Sequence, residues 1–189
     1  MWQCQDRLES ATGSPLADAA LVKLDQYCAR LAGERIDAVY SGDATGERQS
    51  AERIARALEA RWRIVPDLRE IDYGLWQGLT RAEIRHRQPK LYREWADEPD
   101  NGCPPAGETF DEAAARLETA VESIRRRHKH GTVLLVLRPV MIALLRCRLD
   151  RLPRTRLWDL AAQADDVNAY TLNAQAKRLQ HTGGPHGGA

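Results

Sequence analysis

Apolar residues recur at helical spacing from Pro15 to Leu31 (Leu16, Ala20, Leu24, Tyr27, Leu31), and Gly33 stands where a C-cap glycine belongs. Beyond it the period shortens. Ile36 to Tyr40 is a β-branched and aromatic run leading into Ser41-Gly42-Asp43, which predicts a strand and a turn. A second helix is expected from Glu47 to Trp62, with a short strand at Arg63 to Val65. Leu68 to Gly78 mixes glycines with aromatics and reads as an ordered loop. Thr80 and Glu83 have capping-box spacing for a helix that ends before Pro89, and a helix-rich insertion continues through Trp95. After a Pro/Gly-rich turn at Cys103 to Gly107, Thr109 can cap a long helix from Phe110 to His128, its apolar stripe formed by Ala113, Leu117, Val121 and Ile124. Thr132 to Leu137, TVLLVL, is continuously apolar, the pattern of a strand buried on both faces, and it feeds a helix from Met141 to Leu149. Val167 to Leu172 offers a last strand. The alternation of strands and helices predicts an α/β domain over residues 1–178, and the polar, glycine-rich ending predicts a disordered tail at 179–189. No internal repeat is present.

Composition narrows the function. The chain has 189 residues, with 28 lysines and arginines against 27 acids and a net charge of +1, so neither nucleic acid nor an acidic membrane is an expected partner. Cys4, Cys28, Cys103 and Cys147 are scattered, with no signal peptide before them, which points to reduced thiols in the cytoplasm. The longest apolar stretch, Thr132 to Leu145, is interrupted by Arg138 and Pro139 and is too short to span a bilayer. His86, His128, His130, His181 and His186 fall on an insertion helix, a helix end and the tail, without zinc-like spacing, and no metal or other cofactor is expected.

Three blocks carry a resemblance: VYSGDATGERQSAERIA (39–55), LREIDYGLWQG (68–78) and PAGETFDEAAARL (105–117). With VLLVLRPVMIALL (133–145) and the N-terminal WQCQDRLESATGSPL, they resemble the histidine phosphatase (phosphoglycerate mutase-like) superfamily over nearly the whole chain. That resemblance implies a three-layer α/β/α domain with its site at the carboxyl ends of the strands. It also implies phosphoryl chemistry in which a histidine attacks phosphorus, a second histidine and two arginines clamp the phosphate oxygens, and a glutamate donates the leaving-group proton.

Several of those roles have no counterpart here. No histidine precedes His86, so either the chain continues upstream and carries the nucleophile there or the protein lacks it; arginine cannot replace it because it stays protonated. The unpaired backbone that loss of the first strand would leave points to a further segment upstream. Arg138 stands in place of the second histidine, with Pro139 and Val140 in place of two glycines; it can bind a phosphate or carboxylate, or be a surface arginine at a strand end. Gly46 occupies one clamp-arginine position and Glu47 follows it, a negative charge opposed to phosphate. Arg48 lies about 200° around the helix from Gly46 and cannot substitute. Both Glu47 and Arg48 read as a solvated helix face.

Glu70 matches the proton donor, and its other reading is an ion pair with Arg7 or Arg138. Arg7, Ser41, Gly107 and Glu108 match substrate-facing or pocket-shaping positions, although Glu108 equally suits charge near a helix start. Trp76 and Trp95 can line a pocket or seal a core. The expected function is a catalytically inactive or impaired superfamily member that binds a phosphorylated or other anionic ligand or a protein partner. The alternative is a weak phosphatase or mutase. Any self-association is expected to be a symmetric dimer.

Overall fold

The computed structural model describes residues 7–8, 13–100, 102–164, 170–171 and 180–181. Its centre is a parallel sheet of β1 (Ala38–Ser41), β2 (Arg61–Ile64) and β3 (Val133–Val136) in the order β2-β1-β3. β1 pairs with both neighbours, Tyr40 lying opposite Arg63 on one side and Leu135 on the other. Parallel strands need crossovers, and helices supply them on both faces. Helices α1 (Asp18–Leu31) and α2 (Thr45–Ala57) bury Leu24, Cys28, Ala51 and Ile54 with Val39 on one face. On the other face α5 (Phe110–Arg127) and α6 (Pro139–Leu149) bury Leu117, Ile124, Met141 and Leu144 with Ala38 and Tyr40. The three layers expected from the sequence are therefore present.

Between them, α3 (Arg81–Arg87) and α4 (Pro89–Asp97) form the insertion, and α7 (Leu157–Ala162) packs on α6. Trp76, Trp95, Phe110 and Trp158 join these elements, with Trp95 and Trp158 ring centroids 4.5 Å apart. Trp76 and Trp95 are fully buried and seal the core. Such aromatic pairs add about 0.5–1.5 kcal/mol each beyond the area they bury.

Local signals were read correctly where they were self-contained. Thr80 with Glu83 and Thr109 with Glu112 both form complete capping boxes. Other boundaries moved. α1 ends at Ala32 in ordinary helical conformation, so Gly33 is not its left-handed cap. α2 stops at Ala57 and Glu59 turns the chain with φ +52°, because Arg61 to Ile64 are drawn into the ladder with β1. α7 was not anticipated. β3 is half-buried at every residue rather than fully covered, since it is an edge strand among the described residues. Tyr170–Thr171 (β4) pairs antiparallel with Gln180–His181 (β5), which places two residues of the expected tail in a ladder. The remainder of that tail, and Val167 to Asn168 with Ala169 and Leu172, lie outside the described residues.

Candidate active site

β1 and β3 end side by side, and the segments leaving their carboxyl ends bring together the charged groups of the site. After β1 the chain turns through Gly42 into α2, whose first turn carries Glu47. After β3, Arg138 occupies the N-cap position of α6. Between these, the loop following the short turn Pro66–Leu68 delivers Glu70. Arg138 Nε lies 3.9 Å from Glu47 Oε1 and 3.9 Å from Glu70 Oε2, so one guanidinium stands between two carboxyl groups. All three side chains are at least 88% shielded from solvent, with 12% of Arg138, 4% of Glu47 and 8% of Glu70 exposed.

The partners of the two acids differ. Glu70 Oε1 accepts from the Ile71 amide at 2.9 Å. Neither carboxyl oxygen of Glu47 has a hydrogen-bond partner among the described residues. Its carboxylate packs directly on Gly42, where any Cβ would collide with it. Burial pushes the Glu47 carboxyl up to about 8, helped by the charges of Glu70 and Asp43 and opposed by Arg116. Burial pushes Glu70 up to about 7, against the amides of Ile71 and Val140 and the charge of Arg116. Burial also lowers Arg138 to about 10, which leaves it protonated at neutral pH.

A second cluster supports the first. Arg116 holds Glu108 by two bonds, Nε to Oε1 at 2.8 Å and Nη2 to Oε2 at 2.7 Å. Its Nη1 donates to the carbonyls of Asp67 at 2.6 Å and Arg69 at 3.1 Å. Glu108 also accepts from the Asp72 amide at 3.3 Å, while its own amide donates to the Asp72 carbonyl at 2.8 Å. α5 thereby grips the loop on both sides of Glu70.

The residues expected from sequence divide accordingly. Glu70 and Arg138 meet, which decides the ion-pair partner of Glu70 in favour of Arg138, and Arg138 is not a surface residue. Glu47 is 5% exposed, so its reading as a solvated helix face is overturned; Arg48 is exposed as expected. Arg7 is engaged elsewhere, donating to the Gly78 carbonyl at 2.9 Å and pairing with Glu83 at 3.3 Å. Ser41 is fully buried; its hydroxyl donates to the Gly42 carbonyl and accepts from Trp62 Nε1, so it serves the strand end. Gly107 donates to the Pro104 carbonyl, and a Cβ there would crowd the Asp72 carbonyl at 2.6 Å, so its role is close packing. Glu108 is a strut rather than a helix-start charge. Gly46 lies against the Ser14 carbonyl, 2.8 Å from where a Cβ would be, so a longer residue does not fit beside this Ser14.

His128 Nε2 lies 2.9 Å from the Tyr40 hydroxyl, while His86 and His130 are exposed. Among the described residues no group of His, Cys, Asp or Glu is arranged to hold a metal ion, and no helix is long and apolar enough to cross a membrane.

The profile of the histidine phosphatase superfamily (branch 1) matches residues 1–183. The chain belongs to this superfamily. Phosphoserine phosphatase 1 of Hydrogenobacter thermophilus is 23% identical over 177 residues, covering 94% of this chain and 83% of that protein. The metal-independent phosphoserine phosphatase of Arabidopsis thaliana is 33% identical over 138 residues, 71% of this chain and 58% of the plant protein. A bifunctional protein of Mycobacterium tuberculosis is 37% identical over 126 residues, of which this chain spans only 34% of the length. The solved structure of Bacillus stearothermophilus YhfR superposes with a TM-score of 0.86 at 24% identity, over 96% of this chain and 89% of that one. That likeness establishes the histidine phosphatase fold.

Arg116 was missed by sequence reasoning although it lies inside the quoted block PAGETFDEAAARL. Its signal is an acid and an arginine eight positions apart at a capped helix start, which only the folded loop at 67–72 makes meaningful.

Proposed function

We propose that this histidine phosphatase superfamily member holds an anionic, phosphate-bearing ligand at Arg138 and turns it over weakly or not at all. The observation that supports this reading is the buried Glu47, Arg138 and Glu70 cluster. Below neutrality Glu47 and Glu70 both hold protons, and Arg138 is a positive charge that neither acid neutralises. A phosphate oxygen then meets one guanidinium and two groups able to donate a hydrogen bond. Above about 8 the two acids ionise and repel the same ligand. Ligand binding should therefore strengthen as pH falls. Impaired turnover follows from Arg138 and Gly46 standing where the family pattern has a histidine and an arginine, since a single lost donor costs about 3–4 kcal/mol of transition-state stabilisation.

A second reading, a slow phosphomonoesterase or mutase, is favoured by one feature. The Glu70 carboxyl, raised to about 7, holds a proton in the range where a general acid works best. Relatives named as phosphatases and phosphoglycerate mutases fit that reading. We place the protein in the cytoplasm, where the unpaired thiols of Cys28, Cys103 and Cys147 remain reduced.

The test pairs two measurements on one preparation: the melting-temperature shift with inorganic phosphate at acidic and alkaline pH, and hydrolysis of p-nitrophenyl phosphate. A shift confined to acidic pH without turnover supports ligand holding. Turnover abolished by Glu70→Gln replaces it with the enzymatic reading, and no phosphate shift at either pH removes the anion site altogether.

A further inference from the structure

β2 closes the sheet on the side away from β3. It pairs with β1 alone, and among the described residues no backbone hydrogen bond reaches its outer edge. Val65 donates to the Ser41 carbonyl, so the alternation of a strand turns the amides of Trp62 and Ile64 outward. The side chains divide between two faces. Trp62 packs with Val39 on the α1 and α2 side, and Ile64 follows it there, 41% exposed. Arg61 and Arg63 stand on the other face, opposite Ala38 and Tyr40 of β1, and both are exposed.

Nearby arginines are engaged, Arg56 with Glu52 at 3.1 Å and Arg69 with Asp67 at 3.6 Å. Arg61 and Arg63 have no ion pair among the described residues, not even with Glu59, the acid nearest in sequence. Charges of one sign guard an edge against pairing with other edges. Here they exclude a second copy of this chain, because opposed residues of an antiparallel two-fold pair share a face. A pair centred on Arg61, Trp62 or Arg63 sets arginine against arginine, and one centred on Ile64 runs into Pro66, which has no amide to donate. A strand of opposite charge meets no such barrier.

We propose that the outer edge of β2 docks an extended acidic segment of a partner polypeptide, its acids alternating with β-branched apolar residues. The acids face Arg61 and Arg63, the apolar side chains continue the face of Trp62 and Ile64, and the added backbone supplies acceptors for the two outward amides. Charge complementarity selects the partner, since the arginines that keep other strands away attract this one. The surface uses no residue of the Glu47, Arg138 and Glu70 cluster, and it stands whether the ligand-holding or the enzymatic reading of that cluster is correct.

The experiment uses the full chain and two fluorescein-labelled peptides of about six residues. One alternates glutamate with valine or isoleucine, and the other carries lysine in place of each glutamate. Saturable polarisation is expected for the acidic peptide alone, weakening as salt is raised, with amide exchange slowed at Trp62 and Ile64. Replacing both arginines, Arg61→Glu with Arg63→Glu, should weaken the acidic peptide about tenfold and bring in binding of the lysine peptide, an exchange of partners that an unfolded chain cannot show. Should that variant fail to fold, the exchange map and the comparison of the two peptides on the unaltered chain decide alone. Each of four results would overturn the proposal: no saturable binding, equal binding of both peptides, slowed exchange that misses β2, or self-association of the chain through β2.

Discussion

Two glutamate–arginine pairs lie close together, equally hidden from water and built in opposite ways. Glu108 and Arg116 meet fork to fork at 2.7 and 2.8 Å, and the remaining guanidinium nitrogen is spent on two carbonyls. Glu47 and Arg138 approach only to 3.9 Å, and the acid makes no hydrogen bond among the described residues. Burial is matched, with 12% and 10% exposure in the first pair against 4% and 12% in the second. Satisfaction is what differs. A buried charge with all its bonds made stiffens a loop, whereas one without them raises the energy of the folded state until a proton or a ligand arrives. The first pair is scaffold and the second is responsive.

The largest effect should come from breaking the satisfied pair. Arg116→Met strands a buried Glu108 and frees the loop around Glu70, and urea unfolding should show a loss of about 3–5 kcal/mol. Next comes Glu47→Gln, with the opposite sign. The Glu47 carboxyl sits at about 8 in the fold against an ordinary 4.5, so its stabilising contribution is complete below pH 4.5 and disappears as pH rises through 8. Unfolding curves of the unaltered chain should weaken across that window. The Gln variant should be flatter, and more stable by about 2 kcal/mol at alkaline pH; an unchanged pH profile would mean Glu47 is solvated after all.

Arg138→Met should cost only about 1 kcal/mol at acidic pH, where both acids are neutral, because a buried pair can be exchanged for an apolar group at little cost. It should also remove the phosphate-induced melting shift. The smallest effect belongs to Asp25→Asn, which breaks the well-formed but exposed pair with Arg53 at 2.8 Å. No resolvable change in the unfolding midpoint is expected, a benchmark for how little geometry counts without burial.

How far the sequence could be read followed the range of each interaction. Both capping boxes were visible because donor and acceptor lie three residues apart. The layers were visible because apolar periodicity encodes what covers a face. The unpaired edge of β3 was foreseen only through the resemblance, since side-chain pattern reports the two faces of a strand and says nothing of the in-plane edge where its backbone pairs. Glu47 looked like surface because an acid in the first turn of a polar helix usually is. Only the approach of Arg138 from a distant strand and the bare backbone of Gly42 bury it. Glu70 was found through resemblance, and its company of two further acids and Arg116 required the fold.

The contact between Gly42 and the Glu47 carboxylate also constrains how the protein can drift. A side chain at position 42 would have to push aside the Glu47 carboxylate, the movable end of a flexible side chain, and would still meet the Arg69 backbone at 3.1 Å whatever stands at 47. Position 42 is thus closed from two sides, one by a side chain that can move and one by backbone. Loss of the acid would free one side and leave the other shut, so glycine should persist at 42 in lineages with and without Glu47.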